Sequence, residues 1–239
     1  MNWRQLPIDQ KNLEKSYTEK YGLGSKYQTE QERVYLSPEI YPDLKTAISW
    51  LTLTQGDTVL DIGVNNGYEL ELFQNISEQK WLDSISVIGF DIIEEVLQKA
   101  WSRFENKSNY MFVKGNILDF KGKDISNDTE FKILDNSIDI IIALTSLQST
   151  SIIENFEIFI ENLMIKLKDS AQILVGTPNF HLDANNNIGG GLFDANEQKV
   201  DVKAARNFSD KLTAILISKG FQHKQFGETI IFDYFRREN

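Results

Sequence analysis

The apolar positions of this 239-residue chain change their period repeatedly along its length. Short, β-branched runs occur at TVLDI (58–62), SVIGF (86–90), YMFV (110–113), IDIIIAL (138–144) and QILVG (172–176). Their length and composition are those of buried strands. Between them, YELELFQNI (68–76), IEEVLQKAWSRF (93–104) and IENFEIFIENLMIKL (153–167) place apolar residues at three- and four-residue intervals, the period of a helix. Strand and helix alternate, which predicts a parallel sheet wrapped on both faces. The end of the chain departs from this rhythm. After a helix over 204–219 closed by Gly220, FQHKQF (221–226) and TIIFDYF (229–235) are separated only by Gly227 and Glu228. That gap fits a hairpin and is too short for a crossover helix. Two stretches read as irregular: the polar segment 121–132, and 178–201 with its ANNNIGGG run.

Ahead of the sheet, 9–20 and 38–51 read as helices, the second with Ser37 as N-cap and Pro38 in the first helical position. No repeat or Pro/Ser-rich linker divides the chain, so one domain over 1–239 is expected, with residues 1–52 as a helical lid and 53–239 as the core.

Composition narrows the functional classes. Hydrophobic residues make up 41% and charged residues 25%, and no apolar run approaches the roughly 20 residues that span a bilayer. A soluble protein without membrane association is expected. MNWRQLPIDQKNLEKSY lacks the apolar core of a secretory signal, which makes the cytoplasm the expected compartment. The absence of Cys excludes disulfides, thiolate nucleophiles and Cys-ligated zinc, and no metal site is expected. A net charge of −10 repels nucleic acid over most of the surface and argues against polynucleotide partners.

The candidate chemistry begins at DTVLDIGVNNGYELELF (57–73), where the first strand turns into its helix. Ligands of open α/β sheets bind outside the carboxyl ends of the strands, at such a turn. Gly63 allows a sharp bend, and Gly67 removes a side chain where a ligand would press on the backbone. Asn65, between them, is the non-glycine type that best tolerates a left-handed conformation. A dinucleotide turn has G-x-G-x-x-G, but here Asn65 and Tyr68 stand at the second and third positions. A bulky Tyr where strand and helix pack closely argues against NAD or FAD. The spacing that is present, acidic-x-G-x-x-x-G from Asp61 to Gly67, suits a cofactor carrying an amino-acid ammonium group.

With these residues the chain resembles the class I S-adenosylmethionine-dependent methyltransferases over roughly residues 40–235. It matches their first motif at Asp61, Gly63 and Gly67 and departs at Asn65. The resemblance implies that Asp91, ending IGFD, accepts hydrogen bonds from both ribose hydroxyls of S-adenosyl-L-methionine, with Ile92 beside it. In GNILD (115–119) it puts the Asn116 side chain on the adenine amino group and the Ile117 N–H on the ring. LDNSIDIIIALTSLQ (134–148) resembles the fourth motif, whose strand end at Leu144 lies under the methionine part. A Rossmann-like, seven-stranded, mostly parallel sheet in the order 3-2-1-4-5-7-6, strand seven antiparallel, is implied with helices on both faces. So is methyl transfer to an O, N or C atom of a small-molecule metabolite by in-line displacement. The alternatives are a protein, peptide or RNA acceptor, and a cofactor-binding protein without catalysis.

For the acceptor side, His181 and Asn179 follow the fifth strand in VGTPNFH, on the edge that carries the cofactor loops. Tyr17 and Tyr21 in SYTEKYGLGSKY form either a lid over the site or one packed helical face. His223 falls inside the final hairpin and reads as structural, and Trp81 and Trp101 read as core packing. GGG at 189–191 lacks the Lys-Ser/Thr of a phosphate loop. No catalytic residue is assigned: a general base is useful for a hydroxyl acceptor and dispensable for an amine that arrives neutral, and His181 is the candidate for base or substrate contact.

Overall fold

The computed structural model describes residues 40–76, 84–147, 150–178, 202–228 and 230–237, with the pairs 181–182 and 188–189 and positions 15, 18 and 19. Five parallel strands form the centre of the sheet: β1 (Thr58–Ile62), β2 (Ser86–Asp91), β3 (Tyr110–Asn116), β6 (Ile138–Leu144) and β7 (Leu167–Pro178). The hairpin β10 (Phe221–Phe226) and β11 (Ile230–Arg237) closes one side, with β11 antiparallel to β7. These seven strands follow the expected order. Because 121–132 is a second hairpin rather than a loop, β4 (Lys121–Asp124) runs antiparallel to β3 and β5 (Thr129–Lys132) antiparallel to β4. Among the described residues the sheet therefore has nine strands, in the order β10-β11-β7-β6-β1-β2-β3-β4-β5. Asp124 shapes its turn by accepting the Ser126 N–H on Oδ1 at 2.9 Å. Gly115 and Gly122 face each other across β3 and β4, where a Cβ on either would strike the opposite backbone.

Alternate residues of the central strands enter opposite cores, which is why these strands read as continuous apolar runs. Val59, Ile140 and Ile142 pack against α1 (Tyr41–Ser49), α2 (Tyr68–Ile76) and α3 (Glu94–Arg103). Leu60, Ile62, Ile141 and Ala143 pack on the other face against α4 (Thr150–Glu154), α5 (Phe156–Lys166) and α6 (Val202–Ser218).

Three expectations about helices need correction. The helix expected over 38–51 is α1, beginning at Tyr41 with Pro42 inside its first turn. A helix from Pro38 would have put Pro42 beyond that turn, where its ring meets a carbonyl one turn back. Ser37 and Pro38 lie outside the described residues. The segment 153–167 is two helices, and its last residue, Leu167, already belongs to β7. Trp101 stands 43% exposed on α3, outside the core; Trp81 lies outside the described residues. Among the described residues no helix is long and apolar enough to cross a membrane.

Candidate functional site

β1 lies between β2 and β6, so the chain proceeds to one side through β2 and β3 and to the other through β6 and β7. The carboxyl end of β1 is therefore the topological switch point, where neighbouring loops diverge and leave a crevice. Residues 63–67 form the turn there. Gly63, Asn65 and Gly67 all have positive φ, at 77°, 51° and 76°. Asn65 thus adopts the left-handed conformation its residue type tolerates.

The backbone donors of this turn are directed inward. The N–H groups of Gly63 and Val64 reach the Phe90 carbonyl at 2.7 and 3.3 Å, and that of Gly67 reaches Val64 at 3.0 Å. Asn65 N–H donates to Asp91 Oδ2 at 3.0 Å, and Tyr68 N–H to Asn66 Oδ1 at 3.1 Å. A pyrophosphate site requires such donors to point at the ligand. The hydrogen bonding thus argues against a dinucleotide independently of Tyr68, which packs in the core under the Arg103 guanidinium.

The acceptors are arranged differently. Asp61, one residue before the end of β1, is fully buried, and neither carboxylate oxygen meets a hydrogen-bond donor among the described residues. Burial, and secondarily the Asp91 charge, push its carboxyl up to about 8. Asp91 at the end of β2 accepts Asn65 N–H on one oxygen and Ile93 N–H on the other, each at 3.0 Å. Burial also raises its pKa, against the opposing hydrogen bonds from Ile93, Asn65 and Ile92. A carboxylate has about four acceptor positions, so with these three donors Asp91 keeps capacity for one more. That capacity matches a hydroxyl of a ribose diol, and a buried acid without a donor matches a cation.

The other candidates vary in fit. Asn116 ends β3, and its Oδ1 already accepts Leu118 N–H at 2.9 Å, leaving the amide group and one lone pair for a ligand. Ile117 follows, half-buried against the second core. Leu144 is buried at the end of β6, opposite Gly176. Gly67 has a role other than the one expected: a Cβ there would meet Phe104 and Ala100 at 3.0–3.2 Å, so the protein itself fills that space. A Cβ on Gly63 would collide with Ser146. His181 belongs to a short strand, β8 (His181–Leu182), paired with β9 (Ile188–Gly189), so 178–201 contains a hairpin instead of being wholly irregular. Tyr17, Tyr21 and Asn179 lie outside the described residues. His223 is bonded to the buried Asp233 at 2.7 Å and stacks on Phe235, in keeping with a structural role.

Sequence reasoning missed the two residues that follow β6. Thr145 has φ 58°, an outlier for a β-branched residue, and its N–H donates to the Gly176 carbonyl at 2.8 Å. Ser146 Oγ donates to the Ile62 carbonyl at 2.5 Å, across the crevice beside β1. The partners are 84 positions apart, so no local pattern announces the contact.

Comparison with known proteins agrees with this geometry. A family model described as a methyltransferase domain matches residues 53–220. No curated protein matches the sequence. Among solved structures, a SAM-dependent methyltransferase from Aquifex aeolicus is 17% identical with a TM-score of 0.55, covering 87% of this chain and 97% of its own. Phosphoethanolamine N-methyltransferase 2 from Haemonchus contortus, solved with phosphomonomethylethanolamine and S-adenosylhomocysteine, is 14% identical with a TM-score of 0.55; the match covers 88% of this chain and 45% of that one. A third, from the complex between the Haloferax volcanii Trm112 methyltransferase activator and a candidate methyltransferase, is 13% identical with a TM-score of 0.55, over 89% of this chain and 93% of that one. The chain belongs to the class I S-adenosylmethionine-dependent methyltransferases.

Proposed function

We propose that the chain transfers a methyl group from S-adenosylmethionine to an O, N or C atom of a small metabolite. The polarity of the first turn carries this reading: its donors at 63, 64, 65, 67 and 68 are bound within the protein, while the buried Asp61 carboxylate has none. A cationic amino-acid end complements that arrangement. In this reading Asp61, Gly63 and Asn65 build the wall at the amino-acid end, Gly67 packs the turn on α3 behind it, and Leu144 lies under the methionine chain. Asp91 takes a hydroxyl of the ribose diol beside Ile92, and Asn116 and Ile117 take the adenine.

The bound cofactor supplies an electrophilic methyl group on its sulfonium. The chain's own contribution is alignment and exclusion of water, which lower the barrier of an in-line displacement. An amine that arrives neutral needs no base before attack, whereas a hydroxyl acceptor must also lose its proton, for which His181 is the candidate base. Tyr17, Tyr21, Asn179 and His181 are assigned to the acceptor side, the tyrosines as a lid. The net charge of −10 supports a small acceptor over a polynucleotide.

Two measurements test the proposal. Calorimetry with S-adenosylmethionine, S-adenosylhomocysteine and NAD should show binding of the first two alone. S-adenosylhomocysteine formation should then depend on the low-molecular-mass filtrate of a cell extract. Turnover only with the retained macromolecules would move the acceptor to protein or RNA, and binding without turnover on either fraction would point to a non-catalytic role.

A further inference from the structure

The residues around the end of β1 divide into two sets. On the β2 side are Asp91 and, beyond it, Asn116, tied to the turn by the Asn65 N–H bond to Asp91. On the β6 side are Thr145 and Ser146. Their short segment is fastened at two points: Thr145 N–H to Gly176 of β7, and Ser146 Oγ to the Ile62 carbonyl of β1. Together they join the carboxyl ends of three strands across the switch-point crevice.

Three features indicate that this fastening does more than fill space. Thr145 is held in a left-handed conformation that a β-branched side chain disfavours, and such strain persists only where the surroundings over-determine it. Ser146 lies so close to Gly63 that residue 63 has no room for a side chain, which makes the first turn and the β6 loop mutually dependent. The carbonyl that Ser146 holds belongs to the peptide joining Ile62 to Gly63, immediately after the buried, donor-free Asp61. Fixing that peptide fixes the direction in which the turn leaves β1.

We infer that Ser146 is a positioning residue for the amino-acid end of the cofactor, its hydroxyl setting the Ile62–Gly63 peptide against the crevice between β1 and β6. The inference rests on the proposed cofactor orientation, with adenosine on the β2–β3 side and the amino-acid end toward β6. Ser146 acts through the carbonyl of the peptide it holds, while the N–H of that peptide stays anchored to the Phe90 carbonyl beside the ribose acceptor Asp91. With that anchor kept, the loss of Ser146 should be felt chiefly at the amino-acid end of the ligand.

Ser146→Ala removes the hydroxyl and keeps the Cβ that packs on Gly63. Two probes separate the ligand ends: S-adenosylhomocysteine, and 5′-methylthioadenosine, which keeps the adenosine and thioether but lacks the amino-acid end. Calorimetry should show about a tenfold loss of affinity for S-adenosylhomocysteine, the scale of one hydrogen bond. The change for 5′-methylthioadenosine should stay within about twofold, below the effect of a single lost bond. Ser146→Cys, with a weak donor of similar shape, should recover part of the loss and serves in place of the alanine variant if that does not fold. Equal losses for both probes would show a general structural role and overturn the inference, as would unchanged or tighter S-adenosylhomocysteine binding. If the wild-type protein bound neither probe, the cofactor reading would fail and this inference with it.

Discussion

The Asn65 backbone N–H donates to Asp91 Oδ2 at 3.0 Å, so the turn after β1 is hydrogen-bonded to the acid that ends β2. The second Asp91 oxygen holds the Ile93 N–H ahead of α3. Asp91 therefore shapes the loop while keeping acceptor capacity for a ligand. Asp91→Ala should weaken S-adenosylhomocysteine binding by roughly 2–4 kcal/mol, the scale for losing a charged acceptor. It should also lower the melting temperature of the ligand-free protein, because its backbone donors lose their partner. Affinity equal to wild type in calorimetry would remove Asp91 from the ribose.

Asn65 allows a sharper test because its left-handed backbone is separable from its side chain. With φ at 51°, Asn65→Gly should fold and bind the cofactor as the wild type does. Asn65→Val should cost roughly 1–3 kcal/mol in stability, since a β-branched residue resists that conformation. Loss of binding in the glycine variant, with stability kept, would mean that the Asn side chain itself contacts the ligand.

Gly67 should behave as a packing residue. A Cβ there approaches Ala100 and Phe104 on α3, and φ is 76°. Gly67→Ala should therefore lower stability by roughly 1–3 kcal/mol, the usual cost of such strain. S-adenosylhomocysteine affinity of the folded fraction should change little. A variant of unaltered melting temperature that has lost affinity would restore the view that the ligand presses on residue 67.

These tests mark out what was legible in the sequence. β1 and β6 are readable residue for residue because both faces of each strand are largely buried, leaving β-branched and apolar runs, broken only by Asp61 and Asp139, between polar turns. The hairpin β4–β5 is hidden because it lies at the sheet edge, where Lys121, Lys123, Glu130 and Lys132 are exposed and the scattered Ile125, Phe131 and Ile133 supply a weak apolar signal. The turn is legible through residue types whose backbone preferences are local, Gly63, Asn65 and Gly67. The function of each glycine is not, because Ala100, Phe104 and Ser146 reach them from distant parts of the chain. Asp61 could be read as an acid at a strand end, but its lack of a donor emerges only from the packed structure.

Burial, with the Asp91 charge beside it, makes Asp61 a proton carrier. Its folded-state pKa, about 8, lies above the ordinary 3.8, so the folded protein holds a proton that the unfolded chain releases between these values. A raised acid stabilises the fold fully below its unfolded pKa and loses that contribution as pH rises through the folded one. Asp61 therefore makes the ligand-free protein less stable on going from about pH 4 to about pH 8, with a ceiling of roughly 1.4 kcal/mol per pH unit for one proton. Asp61→Asn should flatten that part of the profile in denaturant titrations. Binding reverses the preference, because a cationic ligand end favours the ionised carboxylate. At pH 7, S-adenosylmethionine should expel up to about one proton, shared between Asp61 and its neighbour Asp91 as a coupled pair. Calorimetry in two buffers of different ionisation enthalpy measures that release, and affinity should rise from pH 6 to 8 by at most about tenfold per unit. Binding with no proton release and no pH dependence would mean that the cationic end lies away from Asp61, and the assignment of the amino-acid end to this part of β1 would have to be abandoned.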